Sequence, residues 1–404
     1  MGDDLFIVCE PLLDAQELLL GYELAGCQSR AGQASPDERN QLALVRAVLS
    51  SAGETASGAL SSKHTLFLEA SPALLSHEIL HELPAKSTVL ALQAAEIADA
   101  SVLAAVKATR ECGFGISLRG VDFANLNREV LAAATHVELC ADSDFPSRVR
   151  LLHDLGVPGL QPIARRVASW EDFSVCTKLG AHVFAGSLHL SERTDGNRSS
   201  ELNPSQKLIL RLMDMVRRNC DVRELEAVLK YDPVLAYKLL RFINSAGMGL
   251  GCEVQSLRHA VALLGYAPLY RWLALLLATA TTAGFPPIML HMAILRGRFA
   301  ERLGQHFLPN SEAENLFVTG MFSLLDKLLG VPMECVLEKV PLSESITQAL
   351  LTREGMYGPF LAMAEACELN SADVRKVAMS LCINAGQVNE AHLSALIWAL
   401  GMDL

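Results

Sequence analysis

The sequence predicts an α/β barrel followed by an all-α domain, on the basis of two hydrophobic rhythms and the polar stretch between them. In residues 1–190, eight short apolar runs alternate with amphipathic helical patterns. Strands that alternate with helices favour a closed (β/α)8-type barrel. Residues 191–206 are polar and rich in Ser, Asn and Gly, which predicts a linker. From there residues 207–404 show helical patterns only, which predicts a compact helical domain.

The strand candidates of the first half are bounded by Gly-terminated helical patterns. They are, in order, LFIVCE, LLLGYEL, TLFLEA, TVLALQ, FGISLRG, HVELCA, GLQPIAR and HVFAG. Helical patterns such as FPSRVRLLHDLG and SWEDFSVCTKLG end in Gly, as helix C-termini commonly do. The first two strands lie too close together for a helix between them, so we expect them to form an antiparallel hairpin.

The helical half shows clear helix starts and one long apolar run. SLRHAVALLG begins with a Ser cap and ends in Gly, and DPVLAYKLLRFINSAG begins with Asp and Pro. The apolar run Trp272–Leu290 is interrupted by Gly284, Pro286 and Pro287 before it could span a bilayer. We therefore expect a buried core helix there and no membrane association.

Composition narrows the classes of partner and the compartment. With 51% hydrophobic and 20% charged residues, the 404-residue chain has ample material for two packed domains. Its net charge of −11 repels phosphate backbones, so we expect no nucleic-acid partner. The ten cysteines form no C-x-x-C pair and the N-terminus opens with acids, which together predict a cytoplasmic protein.

One short motif, SHEILHEL at residues 76–83, matches the H-E-x-x-H pattern of zinc peptidases. On an α-helix His77 and His81 would share a face, with Glu78 beside a bound water. The following segment supplies no third histidine. We therefore interpret it as part of an outer helix, SPALLSHEILHEL, with its charged side chains in solvent.

The second half resembles the HDOD domain family, and the first half resembles the EAL domain family more distantly. The HDOD resemblance rests on an acidic-Pro helix start, the Asn-Ser-Ala stretch Asn244–Ala246 and the Leu-Gly helix end Leu264–Gly265. In the first half, GYELAG places Glu23 at the glutamate of the Glu-Ala-Leu motif. EAL domains are barrel phosphodiesterases of cyclic di-GMP. Over nearly the whole chain, the resemblance implies a bacterial EAL–HDOD signalling protein.

The resemblance also implies a ligand set, and this chain departs from it. Active EAL domains hold two divalent metals with carboxylates and an Asn, and use a catalytic Lys and a phosphate-binding Arg. Here AGC stands in place of that Arg, and Glu69 stands in place of the Asn. The remaining positions of the EAL family's functional residues fall in this sequence at Ala91, Arg119-Gly120, Glu138-Leu139-Cys140, Arg165-Arg166-Val167-Ala168 and Ala185. Because a guanidinium repels a divalent cation, we expect a catalytically inactive barrel without metal or cofactor.

Five of these charged positions are candidate ligand-binding residues, namely Glu23, Glu69, Arg119, Glu138 and Arg165. Our hypothesis is that the three glutamates pair with the two arginines and close the barrel mouth with an ionic network. The alternative is a set of independently solvated charges. The arginines could also contact a phosphate group in a pose that differs from that of active enzymes.

The helical half offers no metal site by resemblance. HDOD domains resemble HD phosphohydrolases without their metal ligands, and the only His-Asp dipeptide, His153-Asp154, lies in the first half. Asn244 and Ser245 are candidate partner-binding residues, with local backbone capping as the alternative. We interpret His259 as a packing residue.

Together these expectations favour a non-catalytic signal-transduction protein that acts as a regulatory scaffold for a protein partner. The alternative is a cyclic di-GMP binding sensor or a residual cyclic di-GMP phosphodiesterase. The sequence leaves a homo-oligomer open.

Overall fold

The computed structural model describes the chain in segments, separated by gaps about which nothing is stated. The described residues are 5–27, 38–62, 64–191, 204–229, 231, 235, 256–279, 287–329, 332–338, 342–368 and 373–401.

Eight strands close into a barrel in sequence order, which confirms the predicted fold class. They are β1 Ile7–Asp14, β2 Leu19–Gly26, β3 Thr65–Glu69, β4 Thr88–Gln93, β5 Gly115–Arg119, β6 His136–Cys140, β7 Gln161–Arg165 and β8 Val183–Ala185. β1 is antiparallel to β2, as the short first connection predicts, and it is also antiparallel to β8. All other neighbouring strands are parallel. The carboxyl ends of β2 to β8 therefore meet at one end of the barrel, which we call the mouth.

Apolar side chains fill the barrel interior. A buried cluster there consists of Leu12, Phe67, Val89, Ile163, Val183 and Ala185. One position demands the smallest residue, because a Cβ at Gly21 would collide with the backbone of Thr65 on the neighbouring strand.

Helices connect most of the strands on the outside of the barrel. They are α1 Glu38–Ser62, α2 Pro72–Leu75, α3 Ala100–Glu111, α4 Arg128–Ala132, α5 Phe145–Leu155 and α6 Trp170–Lys178. α5 ends as predicted at Gly156, whose left-handed φ of 58° suits glycine.

The predicted helix SPALLSHEILHEL is wrong as a single element. α2 ends at Leu75, and a separate 3-10 helix covers Glu78–Glu82. The break has a local cause, since the His77 side chain caps the second segment by accepting a hydrogen bond from the Ile79 amide at 3.1 Å. His77 is thus engaged in capping, and no cluster of three potential metal-binding side chains exists among the described residues.

The remainder of the chain is helical wherever it is described, without a strand after Ala185. The helices are α7 Pro204–Arg217, α8 Val222–Leu229, α9 Leu257–Leu264, α10 Tyr266–Thr279, α11 Pro287–Gly304, α12 Asn310–Phe322, α13 Leu325–Leu329, α14 Met333–Leu337, α15 Glu344–Thr352, α16 Gly358–Glu368, α17 Val374–Ser380 and α18 Ala385–Leu400. The Ser256 hydroxyl caps α9 as predicted, accepting from the His259 amide at 3.1 Å. In the described part of the chain, no helix has the length and hydropathy needed to cross a membrane.

The chain divides into two compact units. The first contains residues 1–193 and 366–393, and the second contains 194–365 and 394–404. Residues 366–393, which the sequence-based division assigns to the helical half, are thus grouped with the barrel. The division into 1–190, 191–206 and 207–404 stays a prediction.

Candidate functional site: an ionic cluster at the barrel mouth

Six charged side chains converge at the barrel mouth, and we refer to them as the mouth cluster. They are Glu10, Glu23, Glu69, Arg119, Glu138 and Arg165. The topology brings them together. Glu69, Arg119 and Arg165 are the last residues of their parallel strands, and Glu10 and Glu23 are cross-strand partners in the β1–β2 hairpin. The strand-end positions that the sequence singled out therefore do converge.

Glu23 lies at the centre of the mouth cluster. One carboxylate oxygen accepts from Arg119 and the other from Arg165, so both oxygens are engaged by guanidinium groups. The Glu23 side chain is only 5% exposed. Water therefore screens these pairs poorly, and the two arginines are the source of its charge compensation.

Glu138 forms the second anchor. Both of its oxygens accept from Arg119 Nε, at 3.1 and 2.9 Å, and the Ser117 hydroxyl lies 3.0 Å from Oε1. Arg165 Nε lies 3.5 Å from Glu138 Oε2. Both arginines therefore contact both Glu23 and Glu138, which makes the four side chains one network rather than two separate pairs.

Glu10 and Glu69 occupy the edge of the mouth cluster, and each contacts a single arginine. Glu10 Oε2 lies 3.0 Å from Arg165 Nη2, and Glu69 Oε1 lies 3.6 Å from Arg119 Nη1. With four carboxylates against two guanidinium groups, the mouth cluster carries a formal charge of −2 when every member is ionised.

The electrostatics divide the glutamates into two kinds. Burial opposes ionisation of Glu23, but the charges of Arg165 and Arg119 outweigh it and hold its pKa below the ordinary value. For Glu69 and Glu10 burial dominates, and their pKa values are raised despite the neighbouring arginines. Glu23 is thus a stable anion, whereas Glu69 and Glu10 hold a proton to higher pH than an ordinary glutamate does.

The arginines remain cationic although they are largely buried. Burial disfavours the charged guanidinium, but the negative charges of Glu23 and Glu138 more than offset this and raise the pKa of Arg119 and of Arg165. Two permanent positive charges therefore stand among the carboxylates.

The mouth cluster does not fit the two divalent metals that the EAL resemblance implies. Glu23 spends both oxygens on guanidinium groups, and Glu138 does the same with Arg119. A divalent cation would have to displace these partners and lie beside two positive charges.

The predicted ion pairing of Glu23, Glu69 and Glu138 with Arg119 and Arg165 is confirmed. The sequence analysis missed Glu10. A signal for it existed, because hairpin pairing of LFIVCE with LLLGYEL places Glu10 directly opposite Glu23. Asn244 and Ser245 lie outside the described residues. A role of the mouth cluster in ligand binding stays a prediction.

The chain is similar to one domain family and to two curated proteins. The family model of the HDOD domain matches residues 202–335. The cyclic di-GMP phosphodiesterase CdgJ of Vibrio cholerae serotype O1 is 26% identical over 241 residues, which span 59% of this chain and 55% of that protein. The uncharacterised protein YuxH of Bacillus subtilis is 21% identical over 404 residues, which span 97% of each chain.

Similar solved structures are EAL proteins. A standalone EAL protein of Vibrio cholerae O395, solved with cyclic di-GMP bound, is 16% identical with a TM-score of 0.36 and covers 46% of this chain and 91% of that one. The EAL domain of Mycobacterium smegmatis DcpA is 14% identical with a TM-score of 0.37, covering 45% and 90%. Residues 202–335 thus match the HDOD domain, and the closed barrel with its antiparallel first hairpin precedes them in the sequence, as the resemblance to EAL–HDOD proteins predicts.

Proposed function

We propose that this protein is a non-catalytic component of cyclic di-GMP signalling, in which the barrel serves as a regulatory scaffold. The observation that supports the proposal is the mouth cluster, where Arg119 and Arg165 occupy both carboxylate oxygens of Glu23, the glutamate that aligns with the Glu-Ala-Leu motif. A phosphodiesterase of this type uses metals to generate its nucleophile. Without a metal site the barrel has no evident means of activating water.

The helical half, in this proposal, supplies the surface for a protein partner. The described part of this half contains buried ion pairs, and no group of three potential metal-binding side chains is found among its described residues. Glu301, for example, is buried and accepts from both Arg271 and Arg298 at 2.6 Å. Such a network favours a fixed helical surface over a reactive site.

A second candidate function is a cyclic di-GMP sensor or a residual phosphodiesterase. The observation that favours it is the similarity to CdgJ, which is described as a cyclic di-GMP phosphodiesterase. The two arginines also provide cationic groups near the mouth that could meet a phosphate if they exchanged their carboxylate partners. In that case binding would require rupture of pairs within the mouth cluster.

Calorimetric titration of the full-length protein with cyclic di-GMP separates these functions. It would be run with and without Mn²⁺, with analysis of the same samples for hydrolysis products. The variant Arg165→Met tests the mouth, and Arg148→Met is the matched control, because Arg148 forms its ion pairs with the exposed Asp142 and Asp144 rather than with the mouth cluster. We expect neither heat nor product for the wild type.

The other outcomes have defined meanings. Heat without product, lost in Arg165→Met and retained in Arg148→Met, would establish a sensor and refute the pure scaffold. Hydrolysis by the wild type would refute the non-catalytic proposal altogether. Experiments that capture a protein partner with the full-length protein should follow these measurements, because the titration decides first between scaffold, sensor and enzyme.

A further inference from the structure

In the described structure, the first half of β1 has no strand neighbour on the side opposite β2. Phe6 O accepts from the Cys27 amide at 2.7 Å, so the even-numbered residues of this segment direct their backbone groups toward β2. Leu5 and Ile7 then face the opposite way. On that side β8 pairs only with Leu12–Asp14 in the described structure. Backbone groups of β1 before residue 12 therefore need other partners.

Helix α18 supplies those partners. The Ile7 amide donates to Asn389 Oδ1 at 2.8 Å, and Asn389 Nδ2 donates to Leu5 O at 2.7 Å. The side-chain amide thus presents one acceptor and one donor to β1, as a neighbouring strand would. One helical turn later, His392 Nδ1 lies 3.2 Å from Ile7 O. Asn389 and His392 share one face of α18 because they are three residues apart.

Residues 366–393, which include the first part of α18, belong to the same compact unit as the barrel. Within this segment Cys367, Val374 and Val388 are fully buried. Glu368 is buried as well. Burial of Cys9 raises the pKa of its thiol, and the negative charge of Glu368 is the next largest cause. Cys367 and Glu368 therefore lie close enough to Cys9 of β1 for their charges to act on its thiol, in addition to the three polar contacts.

We propose that the first part of α18, residues 385–393, forms a clamp that completes the barrel at β1, and that opening this clamp loosens the mouth cluster. Ile7 and Glu10 lie on the same strand, three residues apart, and Glu10 contacts Arg165 at 3.0 Å. A strand held on only one side frays more easily than one held on both, so loss of the clamp frees Glu10 to leave Arg165. The clamp goes beyond the proposed function and does not depend on cyclic di-GMP.

The clamp has a feature that suits regulation. α18 runs from Ala385 to Leu400, and the division between the two compact units falls within it, after Leu393. The helix that holds β1 is therefore covalently continuous with residues of the second unit. A partner that alters the end of this helix would change the helix that carries Asn389.

Hydrogen exchange of the full-length protein, followed by mass spectrometry, tests the clamp. In the wild type we expect the Ile7 amide to be protected although no strand faces it. The variant Asn389→Leu keeps the side-chain size and strands two buried backbone groups, so we expect exchange of the β1 peptide to accelerate about ten- to hundredfold. The control is Glu390→Ala, an exposed neighbour on the same helix, for which we expect no change.

Each possible result decides one part of the proposal. An unprotected Ile7 amide in the wild type would overturn the clamp without any variant. Equal exchange of the β1 peptide in Asn389→Leu and Glu390→Ala would overturn it as well. Coupling to the mouth requires faster exchange in the peptide of β7, which carries Arg165, relative to that of β4. Acceleration confined to β1 would refute the coupling.

Discussion

Neutralisation of Glu23 is the perturbation that most directly tests whether the mouth cluster is one network. Glu23→Gln keeps the shape of the side chain and removes the charge that Arg119 and Arg165 share. Breaking a buried ion pair from one side costs about 3–5 kcal/mol. Because Glu138 still contacts both arginines, we expect the lower end, about 3 kcal/mol. For a unit of this size that corresponds to roughly 6–12 °C in Tm.

The assay has to report the barrel alone, because a global signal would mix two compact units. Urea denaturation followed by hydrogen exchange of the β2 and β5 peptides meets this need. The matched control is Glu129→Gln, whose 64% exposed side chain pairs with Lys107 and whose loss should cost about 1 kcal/mol or less. Equal midpoints for the Glu23 and Glu129 variants would refute the network.

A double-mutant cycle sharpens this test. Glu23→Gln leaves Arg119 with less compensation, so the additional change Arg119→Met should cost less in the Glu23→Gln background than in the wild type. We expect a coupling of at least about 1 kcal/mol between the two positions, because they are in direct contact. Strict additivity would mean that the two side chains are stabilised independently.

Three further predictions concern other buried groups. Because burial raises the folded-state pKa of Glu69, stability should fall as the pH rises from about 4.5 through that raised pKa, and Glu69→Gln should reduce this fall in urea midpoints, with Glu10, whose pKa is also raised, contributing the rest. Burial lowers the pKa of His392 to about 4, so stability should fall as the pH drops from about 6.5 to 4, and His392→Gln should flatten that slope. A Cβ at Gly320 would lie 2.7 Å from Arg296 O where α11 and α12 pack, so Gly320→Ala should cost about 1–3 kcal/mol in thermal unfolding. Gly401→Ala, where the nearest atom is 3.5 Å away, should be neutral by the same measurement.

Local pattern was sufficient to locate all eight strands, because each is a short apolar run between turn residues. It failed at SHEILHEL, where periodicity predicted one helix. The His77 cap that divides the segment is a side-chain hydrogen bond, which periodicity does not register. The strand-end charges of the mouth cluster were found through the EAL resemblance, and their convergence follows because the carboxyl ends of parallel strands meet at one end of a barrel. Glu10 was missed because it belongs to no motif and acquires its role only through hairpin register.

Contacts between distant parts of the sequence set the limit of such inference. Asn389 and Ile7 are 382 residues apart, and nothing in the helical pattern of α18 indicates that one of its amides serves as a strand partner. The sequence also gives no indication that β8 pairs only with Leu12–Asp14 of β1 in the described structure, because this depends on how short β8 is.

The mouth cluster and the clamp both contribute to the structure of the barrel, the first through ion pairs and the second through hydrogen bonds to β1. An enzyme of this architecture must keep carboxylates close together at the strand ends, and their mutual repulsion is relieved when a metal binds. In this chain Arg119 and Arg165 pair with the carboxylates directly, so ion pairs within the protein hold the mouth cluster together. We infer that β1 is the place where an external event can act, since on the side opposite β2 its first half is held by two side chains of α18. If this reasoning is right, perturbing Asn389 changes the mouth, and perturbing the mouth at Glu23 changes exchange at Ile7, because a coupling free energy acts equally in both directions. Hydrogen exchange of the two variants, compared at equal distance from their unfolding midpoints, would reveal this reciprocity, and an effect in one direction only would refute the coupling.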